Sequence, residues 1–303
     1  MEYILKTEHL TKKYGKFNAL DDLNMSVPKG SIYGFVGKNG AGKTTLIRTI
    51  CGLQNPSSGS YSLYDIDNNN TRIARSRRRM GAVVESPAIY LDLTAEQNLT
   101  TQAILLGLPS FTGVRELLSL VGLSNVGMKK AKDFSLGMRQ RLGIAIALVG
   151  DPDFLVLDEP INGLDPQGII DMRELLLKLN QERQITILIS SHILDELSRL
   201  ATHYGFIDRG HLIKEIDASQ LEKQCRKCTR IQVNDTALLP HVLDLMGIEY
   251  CINSHTEADL YAKPHVSRLA AALAKEGCEI ISIQEKDESL ESYFMNLVGG
   301  EEA

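Results

Sequence analysis

Two groups of residues in this sequence have the types and spacing to do chemistry on a phosphate anion. The first is Gly37-Lys38-Asn39-Gly40-Ala41-Gly42-Lys43-Thr44-Thr45, which contains Gly-x-x-x-x-Gly-Lys-Thr. Glycines at these positions let backbone N–H groups converge on phosphate oxygens without a side chain in the way. A lysine and a hydroxyl directly after them suit the β- and γ-phosphates and Mg²⁺. The second is Asp158-Glu159, where Asp158 is the natural partner for Mg²⁺ and Glu159 is placed to polarise an attacking water.

Each group follows an apolar run. Ser31 to Val36 reads as a buried strand ending in glycine, and Lys43 to Cys51 as the helix after it. Phe154 to Leu157 and Ile185 to Ile189 are continuous apolar runs, expected for parallel strands covered on both faces. Ligands of open α/β sheets sit at the carboxyl ends of such strands, where both groups fall, and Ser190-Ser191-His192 also follows a predicted strand. Residues 92–150 have helical spacing instead, as at Val114, Leu117, Leu118 and Val121, and are expected to form an inserted helical subdomain. Tyr204 to Asp208 and Leu212 to Ile216 read as a hairpin around Arg209-Gly210-His211.

The stretch 219–228 is polar and charged and reads as a linker, placing a first domain at 1–218 and a second at 229–303. The second has its own rhythm, strand, helix, hairpin, helix, strand, helix, whose β-α-β-β-α-β order predicts a small ferredoxin-like α+β domain.

The chain has 303 residues, a formal net charge of −5, 43% hydrophobic and 23% charged residues, the balance of a globular protein with no basic excess for nucleic acid. No apolar run approaches the ~18–20 residues a membrane-spanning helix needs. The N-terminus does not read as a signal peptide, so a cytoplasmic chain is expected. Five scattered cysteines fit a reducing compartment, and Cys225-Arg226-Lys227-Cys228 reads as two linker thiols rather than a metal or redox site. The run Arg75-Ser76-Arg77-Arg78-Arg79 reads as a solvated face, with membrane headgroups as a second reading.

Two further motifs carry a family resemblance. Phe134-Ser135-Leu136-Gly137-Met138-Arg139-Gln140 resembles the ABC signature, Leu-Ser-Gly-Gly-Gln, matching at Ser135 and Gly137 and departing at Phe134, Leu136 and Met138. His192 resembles the family's switch histidine, which contacts the γ-phosphate and the attacking water. Asn162-Gly163-Leu164-Asp165 resembles the D-loop, and Tyr14 the aromatic that stacks on adenine, with a plain strand-end tyrosine as the alternative. The resemblance, over about residues 3–217, implies an α/β phosphate-loop NTPase of ABC type: a mixed sheet core, an antiparallel β subdomain and an inserted helical subdomain. It implies an ATPase with ATP and Mg²⁺, working as a head-to-tail dimer with a second, identical ATPase subunit. It would drive integral-membrane partner subunits from the inner face of the cell membrane. Too few residues separate Lys43 from Ser135 for a long coiled-coil insert, which argues against the chromosome-maintenance branch.

One departure narrows the resemblance. Glu85, in Glu85-Ser86-Pro87-Ala88-Ile89-Tyr90, stands where the family usually has the glutamine that senses Mg²⁺ and water. This is similar to the bacterial subgroup for bacitracin resistance and lantibiotic immunity, and implies export of, or immunity to, a peptide antibiotic or similar amphiphile. The alternative is a soluble ABC ATPase acting on ribosomes or nucleic acid, but such proteins usually carry two sets of motifs and this chain has one. A regulatory module without turnover is disfavoured because Glu159 and His192 are both present.

Overall fold

The computed structural model describes residues 2–108, 112–225, 228–262, 265–286 and 290–299. The chain divides into two compact units, Met1–Ala218 and Ser219–Ala303. The first contains two sheets. β1 (Tyr3–Tyr14) and β2 (Phe17–Pro28) form a long antiparallel hairpin. The second sheet begins with β3 (Ile32–Val36), which leads through the loop at 37–42 into α1 (Lys43–Ile50). β4 (Ser58–Leu63) and β5 (Ile66–Asp67) complete the antiparallel sheet in the order β2-β1-β4-β5.

α2 (Ile73–Arg77) and β6 (Met80–Val83) follow. The segment expected to be helical holds α3 (Ala95–Leu105), α4 (Val114–Leu120), a short 3₁₀ turn at Ala131–Asp133 and α5 (Leu136–Leu148). α3 starts with a full capping box, Thr94 accepting from the Gln97 backbone while the Gln97 side chain accepts from Thr94 N–H.

β7 (Phe154–Asp158), α6 (Pro166–Arg183), β8 (Thr186–Ser191), α7 (Leu194–Ser198), β9 (His203–Asp208) and β10 (His211–Asp217) finish the unit. The second sheet has the order β10-β9-β3-β8-β7-β6. Its pairs are parallel except the β9–β10 hairpin. Every residue of β3, β7 and β8 is buried, which explains their unbroken apolar runs. Leu5, Leu23 and Met25 of the antiparallel sheet share a core with Phe35, Ile47 and Phe154. That core clamps α1 and sets the phosphate loop at the ends of β3 and β7.

The stretch 219–228, read as a linker, is partly helical. Ala218–Gln224 forms α8, built from good helix formers, with Leu221 buried. Cys228 already belongs to the next strand, while Arg226 and Lys227 of the cysteine motif lie outside the described residues. The second unit runs β11 (Cys228–Val233), α9 (Leu239–Leu245), β12 (Tyr250–Ile252), β13 (Glu257–Leu260), α10 (Val266–Lys275), β14 (Ile280–Lys286) and α11 (Leu290–Gly299). Its sheet is antiparallel throughout, in the order β12-β13-β11-β14. Ile231, Val233, Leu243, Leu260, Leu269 and Leu273 form its core. Among the described residues no helix is long and apolar enough to cross a membrane.

Candidate functional site

The turn from β3 to α1 depends on glycine at two points. Gly42 holds φ +116°, and a Cβ there would lie 2.5 Å from the Ala19 carbonyl oxygen. A Cβ on Gly37 would lie 2.5 Å from the Ile207 carbonyl oxygen. At these two points the loop is therefore pressed against β9 and β2 with no room for a side chain. α1 starts with no side-chain cap and no acidic residue in its first turn. α3, α5 and α6 are capped by Thr94, Ser135 and Asp165, while α2, α4, α7, α9 and α10 lack a side-chain cap as α1 does. An uncapped N-terminus leaves N–H groups and the positive end of the helix dipole free for an anion.

Lys43 folds back over this loop. Its Nζ donates to the carbonyls of Gly37 (2.7 Å) and Lys38 (3.1 Å) and lies 3.2 Å from Glu159 Oε1. The side chain is only 5% exposed and that of Glu159 22%. Glu159 follows β7 with φ +47°, a left-handed conformation unusual for its type. Its Oε2 lies 2.9 Å from His192 Nδ1 and accepts from Asn162 Nδ2 at 3.3 Å. Ser190 ties the two acids together, donating to Asp158 Oδ1 at 2.6 Å and accepting from Glu159 N–H at 3.0 Å. The parallel register of β7 and β8, which pairs Asp158 with Ser190, makes this link. Glu196 stands behind the cluster. Burial pushes its carboxyl above the usual range, with the His192 charge opposing and the Glu159 charge adding to the rise.

Thr44 and Thr45 occupy the first turn of α1 and are half-buried. The Thr44 hydroxyl and the buried Asp158 carboxylate are hard oxygen donors, the kind Mg²⁺ takes, so this donor set fits that ion. Tyr14 ends β1 with 48% exposure, and its hydroxyl donates to Gln54 Oε1 at 2.5 Å. Gln54 in turn donates to the Thr45 carbonyl at 2.9 Å, anchoring the ring to α1.

The remaining residues are placed elsewhere. Ser135 caps α5, its Oγ accepting from Met138 N–H at 3.3 Å, and Asp165 caps α6, accepting from Gly168 N–H at 3.0 Å. A Cβ on Gly137 would lie 3.7 Å from Leu164, ordinary contact, so packing within the chain does not demand glycine there. Among the described residues no hydrogen bond joins Ser135, Gly137 or Asp165 to residues 37–45. Glu85 lies beyond β6 and pairs with Arg48 of α1.

The family model for ABC transporters matches residues 20–162, and an AAA-domain model matches residues 130–198. The bacitracin transport ATP-binding protein BcrA of Bacillus licheniformis is 41% identical over 99% of this chain and 99% of that protein. BcrA of Enterococcus faecalis is 39% identical over 99% and 98%. The chain belongs to the ABC transporter ATP-binding proteins. The lantibiotic transport ATP-binding protein SrtF of Streptococcus pyogenes is 43% identical over 72% of this chain and 93% of its own length. Among solved structures, the ATP-binding cassette MJ0796, in a dimeric post-hydrolysis state with ADP and Pi, superposes with a TM-score of 0.64. Its identity is 25%, over 71% of this chain and 98% of that one. CbiO1 from Clostridium perfringens, part of an ABC transporter complex, gives 0.66 at 28% identity over 82% and 100%.

The chain is thus an ATP-binding, ATP-hydrolysing ABC transporter subunit with the mixed-sheet ABC fold. Gln54, Arg48 and Glu196 lie in none of the motifs of the sequence, yet each reaches a residue of the candidate site. Ser190 was visible beside His192, but its bridge to Asp158 depends on strand register, which a single sequence does not display.

Proposed function

We propose that the chain hydrolyses Mg²⁺-ATP at a site built on the uncapped start of α1. The observation that carries this is the convergence there of Lys43, Glu159, His192 and Asp158. The loop Gly37, Lys38, Asn39, Gly40, Ala41, Gly42 offers backbone N–H groups to the phosphates, Lys43 its charge and Tyr14 a face for adenine. Thr44, Asp158 and Glu85 hold Mg²⁺, which when bound neutralises charge on the phosphates. Glu159 accepts a proton from water, while His192 faces the γ-phosphate and steadies the Glu159 carboxylate. Ser135 and Gly137 serve the nucleotide of a second, identical subunit. Asp165 joins the two sites.

The ATPase domain is residues 1–218, with 229–303 an accessory domain. The subunit acts on the inner face of the cell membrane through integral-membrane partners. A groove lined by Cys51, Leu53, Met80, Ala88, Gly143 and Ile146, beside the loop 86–90, offers them an apolar seat. The bacitracin and lantibiotic relatives support a peptide antibiotic or similar amphiphile as the transported class. The test is to express the chain with its adjacent membrane subunit in a bacitracin-sensitive cell. Protection and co-purification with that subunit are expected, and protection should vanish with Lys43→Ala. Recovery with ribosomes, or protection that survives Lys43→Ala, overturns the reading.

A further inference from the structure

Arg48 Nη2 lies 2.5 Å from Glu85 Oε1, with the two side chains 43% and 56% exposed. Arg48 stands four positions after Thr44 on α1, so both side chains share one helix face a single turn apart, about 6 Å along the surface. Glu85 holds φ +59°, a backbone state that residues other than glycine and asparagine avoid. Strained backbone of this sort collects at sites that change conformation. The Glu85 carboxylate is thus paired with a residue on the same face of α1 as the hydroxyl assigned to the metal.

We propose that Arg48 is a positioning residue that holds the Glu85 carboxylate by their ion pair and surrenders it when a divalent cation is bound beside Thr44. This rests on the reading of Glu85 as the metal sensor. An amide at position 85 needs no counter-charge near phosphates, whereas a carboxylate is repelled by them until a cation is present. A guanidinium on the same helix face supplies that counter-charge at rest. The exposure of the pair is what makes exchange feasible. Solvated ion pairs are weak, and a buried one would hold Glu85 too firmly to give it up.

Mn²⁺ is a usable probe, because the free ion is read directly by electron paramagnetic resonance. Full-length parent, Arg48→Gln, Glu85→Gln and the double variant, each saturated with ADP, are titrated with Mn²⁺. Glu85→Gln should weaken Mn²⁺ binding. Arg48→Gln should tighten it by about two- to fivefold, the value of an exposed pair that no longer has to be broken. In the Glu85→Gln background Arg48→Gln should change nothing, since there is no carboxylate to hold. Arg48→Lys keeps the charge and should stay near the parent. Equal shifts from Arg48→Gln in both backgrounds overturn the positioning role while leaving Glu85 as sensor. Unchanged Mn²⁺ binding in Glu85→Gln overturns the sensor reading and the proposal with it.

Discussion

Replacing Glu159 by glutamine should tighten nucleotide binding while it stops turnover, and the two effects have separate origins. Lys43 Nζ sits 3.2 Å from Glu159 Oε1. At that separation the bare Coulomb attraction is about 5 kcal/mol for an effective dielectric constant near 20. Desolvation and competing water offset most of it. Exposed pairs are worth about 0–1 kcal/mol, whereas breaking a buried one costs about 3–5. Side chains 5% and 22% exposed fall between these limits. Glutamine keeps a neutral acceptor for Lys43, so the lost attraction should be about 1–2 kcal/mol. Phosphate competes for the same ammonium group, and that difference appears as about 5- to 30-fold tighter binding. Calorimetry with ADP measures it without dimer closure on ATP. The gain should vanish when Lys43→Ala is also present. Hydrolysis should fall about 10²–10⁴-fold through loss of the proton acceptor. ADP affinity equal to or below the parent's would refute the resting ion pair, and unchanged turnover would refute Glu159 as the base.

Gly42→Ala forces a Cβ to 2.5 Å from the Ala19 carbonyl at φ +116°, and should cost about 2–4 kcal/mol in urea unfolding; a loss within 0.5 kcal/mol would show that the loop has slack. Ser135→Arg should abolish hydrolysis and, through the lost cap on Met138 N–H, lower stability by about 0.5–2 kcal/mol. It should leave ADP binding to the monomer intact, and loss of that binding would refute a role in trans. For Glu196, whose carboxyl is raised by burial, the sign follows from linkage: its contribution is full below the unfolded value near 4.3 and is lost as pH rises through the folded value. Glu196→Gln should therefore gain stability relative to the parent as pH climbs from about 4.3 and level off above the folded value; urea midpoints that differ by a constant across pH would contradict this.

Much of the nucleotide site is legible because its parts are short-range. Gly37 to Thr45 occupies one loop and one helix turn, and Asp158 and Glu159 end one apolar run, so local pattern carries the geometry. The strands β3, β7 and β8 are visible for the same reason, since burial on both faces removes polar residues from them. What stays hidden is set by register and by contacts between distant segments. Ser190 reaches Asp158 only because β7 and β8 pair as they do, Gln54 reaches Tyr14 across 40 positions, and Arg48 reaches Glu85 across 37. Hidden too is the helix within the polar stretch 219–228, where Leu221 is the buried residue of α8.

The backbone of Glu85 has a bearing on how this protein would behave in a laboratory selection. A glycine or asparagine at position 85 would fit φ +59° without strain, relieving of order 1 kcal/mol, while giving up only an exposed ion pair of at most similar worth. A mutant library sorted for heat resistance or soluble yield should therefore tolerate or enrich Glu85→Gly and Glu85→Asn. The same library sorted for growth under antibiotic should discard them. Position 85 would then be among the sites where the two sorting schemes disagree most, and thermostable clones carried forward without an activity screen would accumulate subunits that fold well and transport nothing.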